Sequence, residues 1–105
     1  MTLSGIMDPP IDMFTADGYD LTFGTNTLGP FYLTTLLLPI LTATAASSPD
    51  KHVRVINTSS SGIYINIKEI INFNSLKGES PDRKRLGTQG MYNQSKSVSK
   101  ASGIW

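Results

Sequence analysis

Val53-Arg54-Val55-Ile56-Asn57-Thr58-Ser59-Ser60-Ser61-Gly62 is the stretch on which the fold turns. Its first five residues are short, rich in β-branched side chains and preceded by the charged turn Asp50-Lys51-His52, the pattern of a strand. A nearly continuous apolar run suits a strand covered on both faces, as in parallel sheets. The expected class is therefore α/β. Thr58 to Gly62 make a turn of small residues at the carboxyl end of that strand, the place where open α/β sheets bind their ligands. A serine there would hydrogen-bond a substrate carbonyl or hydroxyl and stabilise developing charge. Serine also suits an ordinary turn, so the hydroxyls alone do not decide.

Upstream, no charged residue occurs between Asp20 and Asp50, and Leu21, Leu28, Phe31, Leu36, Leu38 and Leu41 recur as on a long helix buried nearly all round in its later half. Thr15 is the expected N-cap, with Asp17 and Asp20 in the first turns, where carboxylates complement the helix dipole. Pro30 and Pro39 should bend or split the helix, and Ala43 to Asp50 should end it. Before it, Asp8 to Phe14 reads as a loop because Pro9 and Pro10 forbid a regular element. The strongly apolar part, Phe31 to Leu41, is about half of the ~20 residues a bilayer span needs. A buried helix of a soluble fold is expected over a membrane span.

Downstream, residues 63 to 90 read as irregular, and Lys77 to Arg85 as a solvated run. Within it, Arg83-Lys84-Arg85 fits a solvated loop better than a nuclear signal. A second helix is expected from near Gln89, placing Tyr92 and Lys96 four residues apart on one face. A cation beside a phenol favours the phenolate and suits tyrosine to proton transfer, although the pair alone also fits a solvated helix face. Asn26, an amide in the middle of the apolar helix, reads as a satisfied core amide, a helix-bending residue, or a bridge through water to a lysine.

The 105 residues suffice for one domain. A net charge of +1 gives no field to draw nucleic acid or an anionic membrane. With no cysteine, disulfides, thiolate metal sites and a Cys nucleophile are excluded, and a reducing cytoplasm fits. His52 is the only histidine, which argues against a histidine zinc site or a Ser-His-Asp triad. Met1 to Met7 lack the pattern of a secretory signal.

Taken together, Asn26-x-x-Gly29 within Phe23-Gly24-Thr25-Asn26-Thr27-Leu28-Gly29-Pro30-Phe31, then Val55-Ile56-Asn57-Thr58-Ser59-Ser60, then Tyr92-x-x-x-Lys96 resemble the short-chain dehydrogenases/reductases in type and order. The resemblance runs from about residue 5 to 97, several ordered segments being more specific than any one. The lead-in Thr15 to Asp20 and the long insertion between serine and tyrosine look most like the retinol-dehydrogenase-like and WW-domain-oxidoreductase-like branch in its fungal form. The resemblance implies a Rossmann-like, doubly wound parallel sheet, of which this chain would supply one clear strand, the long helix before it and the Tyr92/Lys96 helix after it. It implies Tyr92 as general acid/base, Lys96 assisting its ionisation and hydrogen-bonding the nicotinamide ribose, and Asn26 completing a proton relay with Lys96. Ser60 would orient the substrate oxygen, being three places after the strand-end Asn57, with Ser59 and Ser61 still possible. The reaction implied is hydride transfer between NADP or NAD and a small carbonyl or alcohol.

The chain also departs from the family. It contains no GxxxGxG turn to hold a pyrophosphate at a helix N-terminus. Gly5-Ile6-Met7 looks like the tail of the family's Asn-Asn-Ala-Gly segment, but Leu3 and Ser4 stand where the end of that motif should be. Ser97 to Trp105 abandons the apolar helix expected after Lys96. Residues 1 to 105 are thus expected to be a partial domain, its central catalytic segment, lacking the nucleotide-binding half and the substrate-binding end. Phe31, Leu36, Leu37 and Leu38 would then have little to pack against, leaving a sticky face and marginal stability. Self-association through the helices of residues 15–45 and 89–100 is expected, as is inactivity in isolation. The rival readings are a non-catalytic interaction module and a small membrane-associated protein using Leu28 to Leu41.

Overall fold

A computed structural model describes residues 2–3, 5–65 and 69–102. The expectations touching Ser4, residues 66–68 and Gly103 to Trp105 lie outside the described residues. Strand β1 (Thr2–Leu3) is followed by a loop, then by a continuous helical rod composed of α1 (Leu21–Phe23), a π-helical turn (Gly24–Leu28) and α2 (Gly29–Ser47). Strand β2 (Ile56–Asn57), two 3₁₀ turns (Ser61–Tyr64 and Phe73–Ser75) and α3 (Pro81–Ser102) complete the order.

The helical rod starts later than Thr15. Thr15 is occupied by a local turn: its N–H donates to the Tyr19 carbonyl at 2.7 Å, its Oγ1 accepts from Tyr19 N at 3.1 Å, and Gly18 closes the turn at φ 82°. Asp20 is the cap instead, its Oδ2 accepting from Phe23 N at 2.8 Å and satisfying one orphan donor of the first turn. Pro30 does not split the rod. It has no N–H for the Asn26 carbonyl four residues back, and its ring would strike that carbonyl in a regular helix. The rod accommodates it with one wider turn, in which Gly29 N donates to the Gly24 carbonyl. Such π-bulges often coincide with functional sites. α2 runs unbroken through Pro39.

The expected strand over 53–57 contracts to Ile56–Asn57. It pairs in parallel with β1, Thr2 opposite Ile56 and Leu3 opposite Asn57. Parallel pairing is as expected; a doubly wound sheet is not formed, because among the described residues β2 has one neighbouring strand and no second face is covered. Val53, Arg54 and Ile56 are exposed as a result.

α3 consists of two helical pieces, the first beginning at Pro81 and the second following Gly87, so that the piece carrying Tyr92 and Lys96 starts near Gln89 as expected. Ser80 Oγ accepts from Arg83 N at 3.3 Å, Pro81 occupies the first helical position and Asp82 the first turn. That is an ordinary N-terminal arrangement, and Ser80-Pro81-Asp82 spells it locally within the charged run. The helix breaks at Gly87 (φ 67°, ψ 177°), a conformation open to glycine alone.

The interior is polar. Among the described residues the buried apolar side chains are Phe23 and Met91, whereas Asp20, Thr22, Asn26, Asn72, Ser75, Arg83, Asn93, Gln94, Ser95 and Lys96 are all buried. α2 contributes nothing to this interior: it has no buried residue, and Phe31, Tyr32, Leu36, Leu38 and Ile40 are exposed. The hydroxyls of Thr35, Thr42 and Thr44 donate back to the carbonyls of Phe31, Leu38 and Ile40, withdrawing polarity from the helix surface. The rod from Leu21 to Ser47 is long and apolar enough to cross a bilayer by length and composition, which the shorter apolar stretch Phe31 to Leu41 does not suggest.

Candidate active site

Asn26 lies in the π-helical turn, 4% exposed. Its Oδ1 accepts from Ile6 N at 2.8 Å and its Nδ2 donates to the Ile6 carbonyl at 2.9 Å and to Ser95 Oγ at 3.0 Å. One side chain therefore ties the amino-terminal segment, the rod and α3 together. Ser95 is fully buried and donates in turn to the Tyr92 carbonyl at 2.7 Å. Thr27 Oγ1 adds a bond to the Ser95 carbonyl at 3.1 Å.

Lys96 follows directly, 5% exposed, its Nζ 5.8 Å from the centroid of the Tyr92 ring and donating to the Thr58 carbonyl at 3.2 Å. The helical spacing of four thus brings ammonium and phenol ring to one side of α3. Gly5 explains how the amino-terminal segment approaches so closely. A Cβ there would stand 2.2 Å from Asn26 Oδ1 and 3.1 Å from Lys96 Nζ. Only a residue without a side chain leaves both groups in place.

The serine turn divides its hydroxyls. Ser59 Oγ donates to the Lys96 carbonyl at 3.0 Å, fastening the turn to α3. Ser60 Oγ accepts from Gly62 N at 3.2 Å as the cap of the following 3₁₀ turn, and its own hydrogen is donated to no partner among the described residues. Gly62 packs on Asn93, where a Cβ would come within 2.6 Å of Oδ1. Asn26, Lys96 and Tyr92 are brought together; no hydrogen bond joins Ser60 to any of them among the described residues.

Arg83, expected in a solvated run, is instead 1% exposed. Its Nη1 donates to Asp20 Oδ1 at 2.9 Å, and its guanidinium lies 4.3 Å from the Phe14 ring centroid. Its neighbour Arg85 is exposed and pairs with Asp82 at 3.2 Å. The Asn72 amide beside Asp82, aided by Arg85, holds that carboxyl below its ordinary value. A groove of about 300 Å³ opens on this side of α3 between Glu69, Asn72, Arg85, Asn93 and Ser97; Asn26, Ser60, Tyr92 and Lys96 do not line it.

A parallel strand leads into a serine turn packed beside a helix that carries tyrosine and lysine four apart, with a buried asparagine behind them. Comparison with known proteins gives the family. A short-chain dehydrogenase/reductase of Armillaria gallica is 46% identical over 93 residues, covering 89% of this chain and 28% of that protein. One from Emericella nidulans is 41% identical over 86 residues (80% and 28%), and human retinol dehydrogenase 13 is 37% identical over 93 residues (89% and 24%). The chain therefore belongs to the short-chain dehydrogenases/reductases, whose fold is Rossmann-like, and it spans about a quarter of the length of the curated relatives it matches. No family model matches the chain, and no solved structure does.

Proposed function

We propose that this chain is the catalytic segment of an NAD(P)-dependent oxidoreductase of the carbonyl reductase or alcohol dehydrogenase type, inactive when taken alone. The observation that carries the reading is Lys96: a buried ammonium beside the Tyr92 ring with one hydrogen bond, to Thr58, among the described residues. An ammonium has three N–H donors, so two remain for hydroxyls such as those of a nicotinamide ribose. Tyr92 and Lys96 thus fit the ribose end of NADP or NAD, while the sequence has no GxxxGxG turn for the pyrophosphate.

The nicotinamide supplies hydride chemistry when bound. Tyr92 gives its hydroxyl proton to a substrate carbonyl oxygen in reduction and takes a proton from an alcohol in oxidation. Ser60 uses its hydroxyl hydrogen to orient that oxygen. Asn26 holds the turn behind Lys96 through which the proton is replaced.

The test is to put this chain in place of the matching 93 residues of the Armillaria gallica relative and to follow NADH and NADPH oxidation with a panel of aldehydes and ketones. Turnover by the chimera that disappears in Tyr92→Phe, with none from the chain alone, is the expected result. Turnover that survives Tyr92→Phe removes the tyrosine from its role. A second reading, an interaction module, is favoured by the bare α2 face; a folded chimera without any turnover would select it.

A further inference from the structure

We propose that Asp20 and Arg83 are a buried positioning pair that sets the π-helical turn carrying Asn26 against the Tyr92–Lys96 stretch of α3. The inference rests on the proposed oxidoreductase reading for its purpose, though not for its geometry.

Asp20 and Arg83 meet at 2.9 Å with side chains 5% and 1% exposed. A buried ion pair is a poor source of stability, because desolvating two charges offsets most of their attraction. Its directional bonds are another matter. The two oxygens of Asp20 are used separately, Oδ2 to cap the rod through Phe23 N and Oδ1 to receive Arg83 Nη1. Asp20 N also donates to the Leu76 carbonyl at 2.8 Å. Arg83 spreads its fork over three segments, donating to Asp20, to the Ser75 carbonyl at 3.4 Å and to the Ile11 carbonyl, with its plane against Phe14. Ser75 continues the connection, since its Oγ accepts from Gln94 Nε2 at 2.8 Å, and Gln94 lies between Tyr92 and Lys96.

The rod and α3 are thereby joined at two places, by Asp20–Arg83 and by Asn26–Ser95. With Phe23 and Met91 as the buried apolar side chains among the described residues, apolar packing cannot choose the rotation and slide of one helix on the other. Directional polar contacts must. The break at Gly87 lies between Arg83 and Tyr92, so the first piece of α3 needs its own anchor to aim the second. Lysine would keep the charge of Arg83 and lose the fork, as one ammonium replaces a planar set of donors.

The experiment uses the 105-residue chain labelled with ¹⁵N-asparagine. It reads the shift and hydrogen-exchange protection of the Asn26 side-chain amide in the wild type, Arg83→Lys, Asp20→Asn and the exposed control Arg85→Lys. Arg83→Lys and Asp20→Asn should shift that resonance and lower its protection about tenfold, the loss of roughly one charge-assisted bond, while circular dichroism keeps its helical signal and Arg85→Lys changes nothing. An Asn26 amide that stays put in a folded Arg83→Lys or Asp20→Asn chain overturns the proposal. So does outright unfolding of both variants, which would make the pair general structural support, and so does a wild type without a protected Asn26 amide. None of these readouts involves turnover, so failure of the oxidoreductase reading would appear separately, in the chimera assay.

Discussion

Asn26 Nδ2 donates to Ser95 Oγ at 3.0 Å across 69 positions of sequence, joining the widened turn of the rod to the residue just before Lys96. The bond is buried at both ends, Asn26 at 4% and Ser95 at 0% exposure. Ser95→Ala takes an acceptor from a buried amide, and leaving such a donor short costs about 1–3 kcal/mol. Urea unfolding should show that loss as a lower midpoint with an unchanged slope. An unaltered midpoint would mean that the amide finds an equivalent partner.

Gly5 is the place where the amino-terminal segment touches the site. Gly5→Ala puts a methyl group 2.2 Å from Asn26 Oδ1, and overpacking of this kind costs about 1–3 kcal/mol. Because the severe overlap is with the Asn26 side chain and the approach to Lys96 Nζ is milder at 3.1 Å, Gly5→Ala should cost less in an Asn26→Ala background. The double-mutant cycle, measured by urea unfolding, should therefore be clearly non-additive.

Stability should depend on Asp82 in acid. The carboxyl is held below its ordinary value, first by the Asn72 amide and then by Arg85. A depressed folded-state value means that the contribution is complete above the ordinary carboxylate range, about pH 4, and is lost as pH falls through the lowered value. Asp82→Asn should remove that part of the acid dependence, with a small loss of stability at neutral pH that disappears as pH falls through the carboxylate range. Thermal midpoints at a series of pH values provide the check.

The α2 face should govern solubility rather than stability. Leu36 and Ile40 are 59% and 63% exposed, and substitutions at such positions usually change unfolding free energy by about 0.5 kcal/mol or less. Leu36→Gln with Ile40→Gln should lower the fluorescence of a bound hydrophobic dye and reduce light scattering at unchanged Tm. A drop of several degrees in Tm would show that α2 is packed.

Local signals carry much of this site. The four-residue spacing of Tyr92 and Lys96 survives because one helical turn enforces it. Asn26 stands out as an amide in apolar surroundings, and it is buried and bonded. Val53 to Asn57 is the weaker signal: a β-branched run forms a strand only as far as another strand runs beside it, and here that is Ile56–Asn57 against Thr2–Leu3. Thr15 fails as a cap because Gly18 turns the chain back first. The helix from near Gln89 is legible, whereas the helical piece ahead of Gly87 is not, because its start, Ser80-Pro81-Asp82, lies hidden in a charged run.

By itself the sequence determined the identity and spacing of the chemical groups: the asparagine in the rod, the serine turn after a strand, and the tyrosine and lysine on one helix face. Periodicity and composition are local properties, and these features depend on nothing else. Only the tertiary structure decided that Arg83 is buried on Asp20 while Arg85 stays in water, that Ser59 rather than Ser60 spends its hydroxyl hydrogen on the Lys96 carbonyl, and that Gly5 fits against Asn26. Those relationships join residues that are distant in sequence. They follow from the need of each buried polar group for a partner, and which partner is within reach is settled when the chain closes on itself.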